Sequence, residues 1–240
     1  MADLNKMTDW DQLKAMLEKK ANESGPNKID ETALKDHMRS RVKGQEPIIE
    51  DVAKLLRLQS AKRTSDRPIA NLLFLGPTGT GKTELAKAIA EYLYQDEKAM
   101  LRFDCSEFTG PEAKTRLIGT PAGYVASEMG GQLTRPVLSN PRRLVLFDEI
   151  EKAYSEVFDL FLQLMGEARL TEQGSGKTVD FSQTIIILTS NAHGSARILD
   201  INGAELIKRF KERKEVAVIS GFQGIHKDTG RITRAARPRA

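Results

Sequence analysis

The sequence predicts an α/β fold, a mostly parallel sheet covered by helices on both faces. Three observations predict it. Short, almost wholly apolar runs of strand length recur along the chain. Segments with helical spacing separate them, as crossovers between parallel strands require. The runs also end in glycine or in polar residues, and in open α/β sheets ligands gather at those strand ends.

Taken in order, the first forty residues are polar and read as an N-terminal helical extension. Trp10, Leu13, Met16 and Leu17 fall on one helical face, Ser24-Gly25-Pro26-Asn27 interrupts it, and a second helix starts near Asp30. The Trp10 face suits packing, with partner docking as the alternative. Ile48, Val52, Leu55, Leu56 and Gln59 give another helix. Asn71–Gly76 reads as a buried strand and Thr83–Tyr94 as the helix after it. Further strands are expected at Met100–Asp104, Leu144–Phe147 and Thr184–Thr189, with a helix at Val157–Glu167. Ala204–Lys214 has helical spacing and Val216–Ser220 strand character.

Composition narrows the function classes. Hydrophobic residues make up 40% and charged residues 29% of 240, the range of a soluble globular protein. The single cysteine, Cys105, excludes an internal disulfide framework and fits a reducing compartment. No apolar run approaches the roughly 20 residues that cross a bilayer. The N-terminus shows no basic segment followed by an apolar stretch, so a cytoplasmic protein without membrane attachment is expected. The net charge of +4 does not imply nucleic-acid binding. Residues 205–240 carry ten Lys or Arg against four Asp or Glu, which leaves the preceding 204 residues at −2. A basic tail of this kind is a solvated feature rather than a nucleic-acid site.

Gly76-Pro77-Thr78-Gly79-Thr80-Gly81-Lys82-Thr83 matches G-x-x-x-x-G-K-[ST] at every fixed position and lies between strand and helix. Its glycines let successive N–H groups point at phosphate oxygens, and the following helix adds a favourable dipole. Lys82 is expected at the β and γ phosphates, and the Thr83 hydroxyl on magnesium. Asp148-Glu149 closes an apolar strand, where Asp148 suits magnesium and Glu149 suits polarisation of an attacking water. Asn191 ends the strand Thr184–Thr189 and is suited either to orient that water or to contact the γ phosphate, although asparagine also favours turns for local reasons.

With these residues goes a resemblance. The stretch from Arg41 to Asn191 resembles the second ATPase module of Clp-type AAA+ unfoldases and disaggregases. It rests on Arg41-Val42-Lys43-Gly44-Gln45, on Arg67-Pro68, on Leu73 to Leu85, on Arg102 to Phe108, on Leu146 to Ala153 and on Ala168-Arg169-Leu170-Thr171. The resemblance implies a P-loop NTPase core over residues 41–191, Mg2+ and ATP as cofactors, and Val42 on the adenine side. Its catalytic residues would be Lys82, Glu149 and Asn191. It also implies a homo-oligomeric, hexameric ring that threads protein substrates. Arg116 to Val125 is similar to the family's central-pore loop, so Tyr124 and Val125 would grip the substrate; Ala126 stands where the family usually has glycine.

Beyond Asn191 the family's helical lid, arginine finger and second sensor arginine are not found in register, and Arg209 and Arg213 lack the family's context. The lid is therefore expected to be absent. Residues 192–233 resemble an aspartokinase fragment instead, through Ala192 to Leu199, Glu215 to Ile225 and Asp228 to Thr233. Residues 192–240 are thus expected to be an atypical C-terminal segment, joined to the core by fusion of two reading frames, with a divergent lid as the alternative. An arginine finger is worth roughly 10³–10⁵ in rate. The functional expectation is ATP hydrolysis coupled to protein remodelling, with a nucleotide-binding module of negligible turnover, or an inactive chimeric fragment, as alternatives.

Overall fold

The structure is a computed structural model that describes residues 29–61, 66–96, 99–124, 127–191, 217–220, 224–225 and 232–233. The Trp10 face, Val125, Ala126, Arg209, Arg213 and the helix expected at Ala204–Lys214 lie outside these residues.

Five parallel strands form the main sheet, in the order β2-β3-β6-β1-β7. They are β1 (Ala70–Leu75), β2 (Met100–Asp104), β3 (Leu144–Asp148), β6 (Ile185–Ser190) and β7 (Ala217–Ser220). A two-stranded antiparallel hairpin, β4 (Arg169–Thr171) with β5 (Thr178–Asp180), precedes β6. A second short pair joins β8 (Gly224–Ile225) to β9 (Ile232–Thr233). β1, β3 and β6 are buried along their whole length, as strands covered on both faces must be.

Side chains alternate across a strand, so each apolar run supplies two cores. Leu72, Phe74, Leu144, Leu146, Ile185 and Ile187 face one way. They meet α1 (Glu31–Arg41), α2 (Glu46–Ala61) and α3 (Lys82–Tyr94). Leu73, Leu75, Val145, Phe147, Ile186 and Leu188 face the other way. There they meet α4 (Ala113–Ile118), α5 (Thr134–Ser139) and α6 (Ser155–Glu167). The expected strands and long helices stand within two residues of their predicted bounds. The short α4 and α5 and the hairpin were not anticipated, because three to six residues carry too little periodicity to read.

Local chemistry sets the ends. Asp30 caps α1 by accepting from the N–H groups of Thr32 (2.9 Å) and Ala33 (3.2 Å). At the other end of that helix Arg41 reaches across to α3, bonding Glu84 and Glu91, each at 2.5 Å. This ties the stretch before the phosphate loop to the helix after it. The strand expected near residues 216–220 acquires its partner here. β7 runs parallel to β1, pairing Leu72 with Ala217 and Leu75 with Ser220, and Ile219 enters the α1–α3 core.

Phe161 of α6 is almost fully buried against Phe147, with ring centroids 4.4 Å apart. Its replacement by alanine removes an aromatic from the centre of one core and leaves a cavity. Phe161→Ala is expected to cost about 3–5 kcal/mol, read as a lower urea midpoint with an unchanged slope.

Candidate functional site

β3, β6 and β1 are neighbours in the sheet, and their C-terminal ends lie side by side. Gly76 N–H, just past β1, donates to the carbonyl of Ser190 at the end of β6 (3.2 Å). Everything that the sequence placed after these strands is therefore brought together.

The loop Gly76–Thr83 turns from β1 into α3. Gly79 (φ 78°) and Gly81 (φ 90°) hold left-handed backbone that side chains rarely adopt. A Cβ at Gly79 would meet nothing within 4 Å, so the loop's outer side is open, and Pro77, Thr78 and Gly79 are exposed. The inner side is closed. A Cβ at Gly81 would stand 3.2 Å from Cγ1 of Val42, which is buried behind the loop. Gln45 Nε2 donates to the Thr80 carbonyl (3.1 Å), and Thr80 Oγ1 closes the turn on the Pro77 carbonyl (2.8 Å).

Lys82 is only 5% exposed. Its ammonium donates to the carbonyls of Gly76 (2.8 Å) and Pro77 (2.7 Å) and to Asn191 Oδ1 (2.9 Å). Burial pulls its pKa below the ordinary lysine value, while Asp148, Glu151 and Glu149 oppose that shift. Asn191 turns its amide the other way, donating through Nδ2 to Glu149 Oε1 (2.8 Å). Its own N–H donates to Glu151 Oε1 (3.1 Å). The other oxygen of Glu149 meets the Lys152 ammonium at 2.5 Å, which raises the Lys152 pKa. Glu149 itself has φ 56°, a left-handed conformation that costs a non-glycine residue roughly 1–2 kcal/mol.

Asp148 is buried and surrounded by donors. Thr83 Oγ1 donates to its carboxylate (3.0 Å to Oδ2), Arg102 Nη2 to Oδ2 (2.8 Å), and Thr189 Oγ1 to Oδ1. Thr189 in turn accepts the backbone N–H of Glu149 (3.1 Å), so one hydroxyl joins both acids to β6.

These donors fit magnesium with a nucleotide. A hydroxyl and a carboxylate oxygen in contact are hard ligands, and magnesium takes its remaining ligands from phosphates and water. Among the described residues there is no group of three or more His, Cys, Asp or Glu arranged to hold a metal by itself. Lys82, Thr83, Asp148, Glu149 and Asn191 thus converge, with Val42 behind them. Tyr124 lies apart, on the loop between α4 and α5, and is 70% exposed. Arg102, Lys152, Glu151 and Thr189 were not singled out from the sequence, although the first three stand in segments quoted for the resemblance.

The model of the family described as "AAA domain (Cdc48 subfamily)" matches residues 67–224, which take in the phosphate loop, the acid pair, Asn191 and β7. The chain belongs to that family. Its relatives place it among the Clp-type AAA+ modules. Chaperone protein ClpB 1 of Thermosynechococcus vestitus is 48% identical over 171 residues, 71% of this chain and 19% of that protein. Heat shock protein 100 of Trypanosoma brucei brucei is 48% identical over 168 residues, 70% of this chain and 19% of that protein. The ClpB of Mycobacterium bovis is 47% identical over 198 residues, 80% of this chain and 23% of that protein. The chain spans about a fifth of the length of these relatives.

For this AAA+ module the closed inner side of the loop makes a specific demand on Gly81. Gly81→Ala would force a left-handed alanine against Val42. It is expected to weaken binding of a fluorescent ATP analogue by about tenfold and to lower stability by about 1–2 kcal/mol. Titration by anisotropy and urea unfolding check the two effects separately.

Proposed function

We propose that the chain binds ATP with magnesium, hydrolyses it, and couples turnover to the remodelling of protein substrates in a ring of copies of itself. The observation that carries this reading is the unbroken chain of contacts Lys82–Asn191–Glu149, set beside Thr83–Asp148. It joins the groups that would hold the phosphates to the group that would handle the attacking water.

On this reading Lys82 turns its ammonium from the Gly76 and Pro77 carbonyls to phosphate oxygens. The N–H groups of Gly79 to Thr83 and the start of α3 hold the remaining phosphate charge. Thr83 and Asp148 hold magnesium, which when bound would neutralise charge on the transferring phosphoryl group. Glu149 accepts a hydrogen bond from the water and orients it, while Asn191 fixes the carboxylate that does so. Val42 lines the base side. Tyr124, with Val125 beside it, presses on the substrate backbone, where an exposed aromatic suits sequence-tolerant contact. The relatives named chaperone protein and heat shock protein support protein substrates, while the homo-oligomeric ring rests on the resemblance read from the sequence and the cytoplasmic setting on the composition. No helix among the described residues is long and apolar enough to cross a membrane.

A nucleotide-binding module with negligible turnover is the second reading. One observation favours it: both oxygens of Glu149 are engaged, by Asn191 and by Lys152. A carboxylate so held has each oxygen committed to a neighbour, which restrains its turn toward water.

Purified protein separates the two. Glu149→Gln is expected to keep nucleotide affinity within about twofold while lowering turnover about 10²–10⁴-fold. Lys82→Ala is expected to lose nucleotide binding. Sizing chromatography with ATP should show a ring. If the unaltered chain binds the nucleotide without turnover or assembly, the second reading stands instead.

A further inference from the structure

The loop between α4 and α5 carries the two most exposed large apolar side chains among the described residues, Tyr124 at 70% and Met129 at 67%. Its base is closed by the N–H groups of Gln132 and Leu133, which donate to the carbonyls of Arg116 (2.9 Å) and Leu117 (3.0 Å). Arg135 Nη1 holds the Met129 carbonyl (2.9 Å). The β4–β5 hairpin packs against this base, and Gln173 N–H donates to the Ile118 carbonyl (2.9 Å).

At the start of the hairpin turn stands Glu172, a carboxylate only 4% exposed. It accepts from the N–H groups of Gly174 (3.2 Å) and Ser175 (2.7 Å) and from Ser175 Oγ. Burial pushes its pKa up, but these donors and Lys177 outweigh that and hold it below the usual carboxylate range. Both limbs of the exposed loop close on this side chain. Gly119 (φ 95°) has no room for a Cβ, which would run into Glu172 Oε1. A Cβ at Gly130, on the returning limb, would stand 3.7 Å from the same oxygen. Gly174 in turn lies so close to the Ser127 carbonyl that no Cβ fits.

A buried charge is costly unless it is fully bonded, and nothing in a hairpin turn alone requires one. Here its bonds stay within its own turn, and its Oε1 is the surface against which Gly119 and Gly130 of the exposed loop pack. We propose that Glu172 is a positioning residue for the loop 119–133. It fixes both limbs so that Tyr124 and Met129 are presented together, as one apolar contact for an extended polypeptide. The role of the contact rests on the reading of Tyr124 as a substrate grip, whereas the anchoring does not. The hairpin leads through residues 181–184 into β6 and so to Asn191, which places the anchor in the segment that precedes the strand bordering the proposed nucleotide site.

Limited chymotrypsin digestion of the full chain tests the anchoring, because Tyr124 is an exposed cleavage site. Glu172→Ala is expected to speed cleavage after Tyr124 about tenfold, as the open population of the loop rises, with other sites cut at unchanged rates. Affinity for a fluorescent ATP analogue should stay within about twofold. Glu172→Gln keeps the size but sets an amide among three donors, and it serves if the alanine variant does not fold. Unchanged cleavage after Tyr124 in a folded variant, or acceleration at all sites alike, overturns the proposal. Binding of fluorescein-labelled unfolded casein with ATP tests the contact, and Tyr124→Ala, Met129→Ala and Glu172→Gln should each weaken it several-fold. If casein binding survives Tyr124→Ala while Glu172→Gln still frees the loop, the grip reading fails and the anchor stands.

Discussion

A lysine ammonium almost sealed from water has to find acceptors inside the protein, and the proposed nucleotide site is arranged around that requirement. Lys82 stands at the start of α3, where the helix dipole opposes a cation and burial opposes it further. Two carbonyls of the phosphate loop and Asn191 accept its hydrogen bonds, and three acids nearby oppose the downward shift that burial imposes. The carbonyls belong to the loop that Lys82 would serve, so the ammonium braces that loop. Exchange of those acceptors for phosphate oxygens would keep the charge satisfied throughout, which would make the cation available at low cost.

The same logic explains why β6 stands between β1 and β3. β1 delivers the phosphate loop and β3 delivers the acids, and the two meet directly in the Thr83–Asp148 hydrogen bond. The strand between them closes with Thr189 and Ser190 and leads into Asn191, and all three make connections. Thr189 bonds Asp148 and the Glu149 backbone, the Ser190 carbonyl takes the Gly76 N–H, and Asn191 bridges Lys82 to Glu149. A displacement of this strand end would disturb both halves together.

Much of this was legible in the sequence, for physical reasons that also mark where legibility stopped. The strands buried on both faces announce themselves as apolar runs, and the phosphate loop is fixed by local backbone demands that only glycine meets. Asp148, Glu149 and Asn191 could be placed because strand ends in a parallel sheet converge. The partners of those residues are set by tertiary packing. Nothing in the spacing of Arg102 or Lys152 says that one bonds Asp148 and the other Glu149. β7 is the same case on a larger scale, since Val216–Ser220 reads as a strand but its place beside β1 depends on a long-range pairing. Glu172 was invisible because a glutamate in a glycine-rich turn ordinarily reads as solvated.

The distribution of buried charge therefore separates two kinds of work. At the nucleotide site Lys82 and Asp148 are buried among groups that would exchange partners with a ligand. At Glu172 the donors are backbone and hydroxyl groups of its own turn, and the surrounding glycines leave no space for anything else. The first arrangement stores alternatives and the second removes them. On the proposed reading, coupling of the two surfaces would need both, a site whose bonds can be exchanged and an anchor that holds its loop. From Glu172 the chain passes through β5, residues 181–184 and β6, and reaches Asn191 directly after that strand.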